Sequence, residues 1–198
     1  MSKKKIILLI VALLVFDQIV KIWIKTHFML DQSVTVFPNW FFIRFIENPG
    51  AAFGFELGGN YGKLILSVFR LLAIGALVYY IFYLYRKKAP AGVLAGFSLI
   101  FAGALGNVLD SAFYGLLFSE STPYTVAHFG GHYAGFMMGQ VVDMFYFPLF
   151  PWNGVPRFLN FLVDSNNYFF GAIFNLADAY ISIAVIYLLL FQYKFLSK

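Results

Sequence analysis

Four apolar stretches, each long enough to cross a lipid bilayer, fix what this chain can be. They run over about residues 6–24, 64–84, 93–112 and 173–191. A helix needs ~20 residues to span the hydrocarbon core. The rest of the composition agrees. Only 12% of the 198 residues are charged and 61% are hydrophobic, whereas a soluble domain carries about 25% charged residues. A water-soluble core of this length could not hide so much apolar surface. The expected fold is an α-helical integral membrane protein, one membrane domain over residues 1–198, with four transmembrane helices. The start, MSKKK followed by IILLIVALLVF, has the look of a cleavable leader. No small-x-small site follows it, and the apolar run resumes after FDQIVK, so the first span is expected to remain uncleaved.

Basic residues orient the bundle. Lys3, Lys4 and Lys5, then Arg86, Lys87 and Lys88, then Lys194 and Lys198 fall on one side. Lys25, Arg44, Lys63 and Arg157 are scattered over much more chain on the other. The positive-inside rule makes both termini cytoplasmic and turns the long loops, about 25–63 and 113–172, outward. The net charge of +5 belongs to this asymmetry, and no nucleic-acid partner is expected. Those outer loops are rich in aromatics, Gly and Pro. FPNWFFIRFIENPGAAFGFE has short β-like runs broken at Asn-Pro-Gly, so a small strand-containing extracytoplasmic cap is expected over Phe37 to Phe55. The segment from Phe145 to Phe170 is expected to lie on the membrane surface.

The few acids converge. Of nine Asp and Glu residues, Asp17 sits in the outer half of the first span, Asp110 at the outer end of the third and Asp178 at the outer end of the fourth. Asp143 lies in the outer loop. A charge at a helix centre costs roughly 2.5–3.5 kcal/mol on insertion scales, so several at one depth point to a site. Two neighbouring carboxylates can share a proton, one serving as general base and the other as general acid. Asp143 in VVD and Asp178 in FNLAD are the best pair, with Asp110 the third candidate. The bland alternative is that such an acid caps a helix or pairs with Lys21 or Arg70. For Asp17 and Lys21, four apart with the acid first, that ion-pair reading is preferred.

Other candidates are weaker. ENPGAAFGF can turn tightly and present Asn48, with Gly50 and Gly54 admitting close backbone approach. Gly103 and Gly106 suit helix contact. His128 and His132 in HFGGH have a spacing compatible with a metal, but the glycines between them disfavour a helix and no HExxH pattern exists. Without cysteine there is no thiolate ligand or nucleophile. No metal and no cofactor are expected.

The ordered motifs FDQIVK, ENPGAAFG, GALGNVLD, VVDMF and FNLADAYI on four spans resemble the lipoprotein signal peptidases, or signal peptidase II, of bacterial inner membranes. The resemblance covers nearly the whole chain. It implies an aspartic endopeptidase that removes the signal peptide from diacylglyceryl-modified prolipoproteins, cutting before the lipidated cysteine, with membrane lipid as its other partner. It implies Asp143 and Asp178 as the catalytic pair. Asp17, Lys21, Asn48, Gly50, Asn107, Asp110 and Asn175 fall on supporting or substrate-binding positions. Two departures stand out. The family has Arg straight after the Asp of its third motif, where this chain has Ser111, and the stretch between Asp143 and Asp178 is longer than usual. The alternative function is a small polytopic carrier or proton-relay protein, which would distribute its ionisable groups through the membrane depth.

Overall fold

The computed structural model describes residues 1–49, 59–156, 159–160, 163 and 167–196. Of the ENPGAAFGF segment it describes Glu47, Asn48 and Pro49. The expected turn positions Gly50 and Gly54 lie outside the described residues. Among the described residues three helices are long and apolar enough to cross a membrane: α1 (Lys3–His27), the Ile65–Arg86 part of α2 (Gly59–Arg86), and α3 (Ala91–Leu109) with its continuation to Leu117. A fourth apolar helix, α5 (Leu176–Phe191), is shorter. Its 16 residues cover about 24 Å at 1.5 Å per residue, against ~30 Å of hydrocarbon.

The outward faces of these helices are unsuited to water. Leu8, Phe69, Leu72, Leu189 and Phe191 are all more than 60% exposed, as lipid-facing residues are. The inward face of α1 has the reverse character. Asp17, Lys21 and Lys25 recur every four residues, which puts them on one helix face, and all three are buried. This is a multi-pass membrane protein whose polar residues face inward.

α3 packs most extensively on α5 and next on α1. Glycine makes the α3–α5 approach possible. A Cβ at Gly103 would run into the carbonyl oxygen of Ala177, and one at Gly106 would meet Asp17 Oδ2 at 2.7 Å. The helix contact suggested by Gly103 and Gly106 therefore exists, and their partners are α5 and α1. Beyond Leu109 the helix widens into a π-helical turn, Asp110–Tyr114, followed by the single turn α4 (Gly115–Leu117). Such bulges re-aim side chains and recur at functional sites.

The loops supply a four-stranded antiparallel sheet in the order β1-β2-β3-β6. Its strands are β1 (Ser33–Phe37), β2 (Phe41–Asn48), β3 (Val141–Tyr146) and β6 (Ile173–Phe174). A second small pair joins β4 (Phe150–Pro151) to β5 (Tyr168–Phe169), and α6 (Tyr193–Leu196) follows α5. Two registers matter. Asn48 pairs with Val141 and Ile46 with Asp143, so Asp143, expected in a loop, sits on a strand. Phe145 pairs with Phe174, one residue before Asn175. The fourth span, expected from residue 173, thus begins as strand, and the helix starts only at Leu176. The reason is local: Asn175 and Asp178 form a capping box that fixes the helix start.

Candidate active site

The site is assembled where β3, the start of α5 and the outer parts of α1 and α3 meet. Asn175 is fully buried and serves both acids of the expected pair. Its side-chain amide donates to Asp143 Oδ1 at 2.6 Å. Its backbone N–H donates to Asp178 Oδ2 at 3.4 Å, and its side-chain oxygen accepts from the Asp178 N–H at 3.0 Å. The pairing of β3 with β6 brings Asp143 to this helix start, and the capping box brings Asp178.

Asn107 of α3 holds Asp178 from the other side, donating to Oδ1 at 2.8 Å. Its orientation is imposed by Lys21, whose ammonium donates to Asn107 Oδ1 at 2.8 Å. An ammonium has donors only, so the amide oxygen must face it and the NH₂ is left for the carboxylate. Asn175 adds a second bond to that oxygen, at 3.1 Å. Asn48, at the end of β2, donates to Asp143 Oδ2 at 3.3 Å. One hydrogen-bonded chain thus runs from Lys21 through Asn107 and Asn175 to Asp143 and Asn48.

Lys21 also answers the two remaining acids. It lies 3.1 Å from Asp17 Oδ2 and 2.7 Å from Asp110 Oδ2, with all three side chains excluded from solvent. Asp17 does more than pair: its Oδ1 accepts the Ala177 N–H at 3.1 Å. That satisfies a donor in the first turn of α5, which has no partner within the helix. Asp110 takes a second bond from Gln18 Nε2 at 2.8 Å. The ion-pair reading therefore describes Asp17 and Asp110, while Asp143 and Asp178 touch only amides among the described contacts.

Burial drives the Asp143 carboxyl up to about 7, and the neighbouring charge of Asp178 pushes in the same direction. The bonds from Asn48 and Asn175 and the charge of Lys21 oppose this without cancelling it. Asp143 therefore holds its proton near neutrality while Asp178 sits beside it.

Gln18, Lys25 and Tyr133 carried no site assignment in the sequence. Gln18 lies inside FDQIVK and links Asp110, Asp17 and the Tyr114 hydroxyl. Lys25, one turn beyond Lys21, pairs with Glu47 inside the protein and donates to Ser121 Oγ at 2.9 Å. Tyr133 places its ring 4.9 Å from the same ammonium. This fastens β2 beside Asn48. Arg70 of α2 donates to Ser111 Oγ at 3.0 Å. The four-residue spacing of Asp17, Lys21 and Lys25 was the available signal for Lys25. His128 and His132 lie in the outer loop, and His128 Nδ1 bonds to the neighbouring Phe129 carbonyl.

The sequence model of the signal peptidase II family matches residues 9–194. The chain is 48% identical to the lipoprotein signal peptidase of Porphyromonas gingivalis over 190 residues, covering 94% of this chain and 81% of that one. It is 33% identical to the lipoprotein signal peptidase of Amoebophilus asiaticus over 172 residues, covering 83% and 67%. The fold resembles a bacterial membrane enzyme solved at 2.3 Å by the in meso method, with a TM-score of 0.64 at 25% identity, covering 97% of this chain and 89% of that one. On this match, which extends over nearly its whole length, the chain belongs to the signal peptidase II family.

Proposed function

We propose that this peptidase is an aspartic endopeptidase in which Asp143 and Asp178 act on one water. Membership of the signal peptidase II family makes it a peptidase that removes signal peptides from prolipoproteins. The observation that carries the aspartic reading is Asn175, which bonds to both carboxylates. The raised Asp143 carboxyl supports the following division of roles. Asp178 takes a proton from the water as it attacks the scissile carbonyl carbon, and Asp143 gives its proton to the carbonyl oxygen. The tetrahedral intermediate then collapses. The C–N bond breaks, the leaving nitrogen takes a proton from Asp178, and Asp143 recovers its own from the diol. No other reactant is needed, and the pair returns to its starting state.

The substrate is a prolipoprotein carrying diacylglycerol on its cysteine, cut just before that residue. Each CH₂ of the acyl chains buried in lipid contributes ~0.8 kcal/mol, so the lipid would hold the scissile bond at the bilayer surface. The protein forms a single domain over residues 1–198, with α5 as a fourth span and the sheet as an outer cap. It lies in the bacterial inner membrane with both termini cytoplasmic and the site at the outer face. Asp17, Lys21, Asn107, Asp110 and Asn175 form the site's support. Asn48, and Gly50 of the same motif, are assigned to substrate. The concentration of acids at one end of the helices favours this over a carrier, which needs ionisable groups through its depth.

The test compares lipidated and unlipidated precursor with the same purified protein in detergent, identifying the new N-terminus by mass spectrometry. Cleavage of the lipidated form alone, leaving cysteine first, is expected. Equal rates on both would remove the lipid from the account. Chelators are expected to leave the rate unchanged.

A further inference from the structure

Arg70 makes no described bond to any carboxylate of the network above, although it comes from a membrane-spanning helix and is half-buried. An arginine between membrane helices is costly and normally serves a function. Among the described residues no carboxylate lies in ion-pair contact with it. It is held instead by a neutral group, the Ser111 hydroxyl. That hydroxyl is itself fixed, donating to the Asn107 carbonyl one turn back in α3 at 3.1 Å. Ser111 follows Asp110 directly, at the position where the family resemblance leads one to expect an arginine. Ser111 thereby ties Arg70 to Asn107, the residue whose side-chain amide holds Asp178.

The local charge balance gives this placement a purpose. Asp17 and Asp178 approach from α1 and α5, Asp110 from the π-helical turn and Asp143 from β3. Lys21 is the cation in their midst, and its three N–H donors go to Asp17, Asp110 and Asn107. Lys25 is engaged with Glu47 of β2. Tyr114 and Tyr133 add hydroxyls, bonded to Gln18 and to the Gln140 N–H. Among the described residues no ammonium forms an ion pair with Asp143 or Asp178.

We propose that Arg70 is a positioning residue of the peptidase, held by Ser111 beside Asn107, the residue that bonds to Asp178, so that its positive charge helps sustain the negative charge the pair needs. This rests on the aspartic reading of the site. The guanidinium expected beside Asp110 has in effect moved to a neighbouring helix, and Ser111 has become its anchor. A guanidinium stays charged at every relevant pH, so its influence is electrostatic and constant.

The experiment is the pH dependence of kcat/KM on lipidated precursor for wild type, Arg70→Gln, Arg70→Lys, Ser111→Ala and the double variant R70Q/S111R, with Asp143→Asn alongside. Removing a cation makes the pair harder to ionise, so the acidic limb should move to higher pH. A neighbouring opposite charge shifts a carboxylate by about one unit or more, and Arg70→Gln should move the limb by roughly that much. Arg70→Lys should leave it in place, and R70Q/S111R should return it toward wild type. Should Arg70→Gln fail to fold, Ser111→Ala takes its place, since it loosens the guanidinium while keeping every charge, and a smaller shift in the same direction is expected. A limb coincident with wild type would overturn the proposal, even with a slower rate or a raised KM, because Arg70 would then be structural or a substrate contact. Full activity in Asp143→Asn would instead overturn the aspartic reading itself.

Discussion

Asn175 donates its side-chain amide to Asp143 Oδ1 at 2.6 Å. This single bond joins a strand of the sheet to the first turn of a membrane helix. The same side chain accepts the Asp178 N–H, so removing it frees the Asp143 carboxylate and uncaps the helix start that places Asp178. Asn175→Ala should lower cleavage by about 10²-fold or more, the lower end of what a positioned acid or base contributes. Loss of the helix cap should also cost about 0.5–2 kcal/mol. Rates measured beside thermal unfolding in detergent separate the two effects. Wild-type turnover in this variant would show that the link is dispensable.

The Asp143 carboxyl ionises at about 7, above its ordinary value of 3.8. The working pair carries one proton, so kcat/KM should fall as pH rises through about 7. The folded state also holds that proton over the interval from 3.8 to about 7, where the unfolded chain has released it. Its contribution to stability is therefore full below 3.8, declines as pH rises through the interval, and is lost above about 7. Asp143→Asn should remove this part of the pH dependence of unfolding. A kcat/KM profile that stays flat as pH rises through and beyond neutrality would contradict the assignment of the proton to Asp143.

Much of this site was legible because charge in hydrocarbon is too costly to be idle. Asp17, Asp110 and Asp178 could be placed at one end of their helices from hydropathy and loop charge alone. Lys21 was legible as the partner of Asp17, since four-residue spacing decides helix neighbours; that it also holds Asp110 and orients Asn107 was not. The Lys25–Glu47 pair and the Arg70–Ser111 bond join residues far apart in sequence. Their contact depends on sheet register and on the π-helical turn, neither of which has a periodic signature. The start of α5 falls three residues later than hydropathy suggests, because Ile173 and Phe174 are as apolar as the helix they precede.

Lys21 neutralises two buried carboxylates. Lys21→Met keeps much of the volume and leaves both acids without a cation. Breaking a buried pair from one side costs about 3–5 kcal/mol, so a large drop in thermal stability is expected. Activity should fall as well, because Asn107 would no longer be held in one orientation. Undiminished stability would contradict the ion-pair role given to Lys21.

Asn48 bonds to Asp143 from the end of β2, and Lys25 fixes that strand through Glu47. A hydrogen bond between neutral groups contributes about 0.5–1.5 kcal/mol, so Asn48→Ala should reduce turnover by roughly 2- to 10-fold. The fold should survive, since the strand keeps its ladder. Circular dichroism and single-turnover rates on the same preparation check both halves of this expectation.

An aspartic mechanism requires that two aspartates, with no other catalytic group, perform the cleavage. The most direct measurement is the single-turnover rate on diacylglyceryl-modified precursor for wild type, Asp143→Asn and Asp178→Asn, each verified as folded. Both variants should lose about 10²- to 10⁴-fold or more, with the wild-type rate unaffected by chelator. Near-wild-type cleavage in either variant, or activity abolished by chelation and restored by zinc, would rule out catalysis by the Asp143–Asp178 pair.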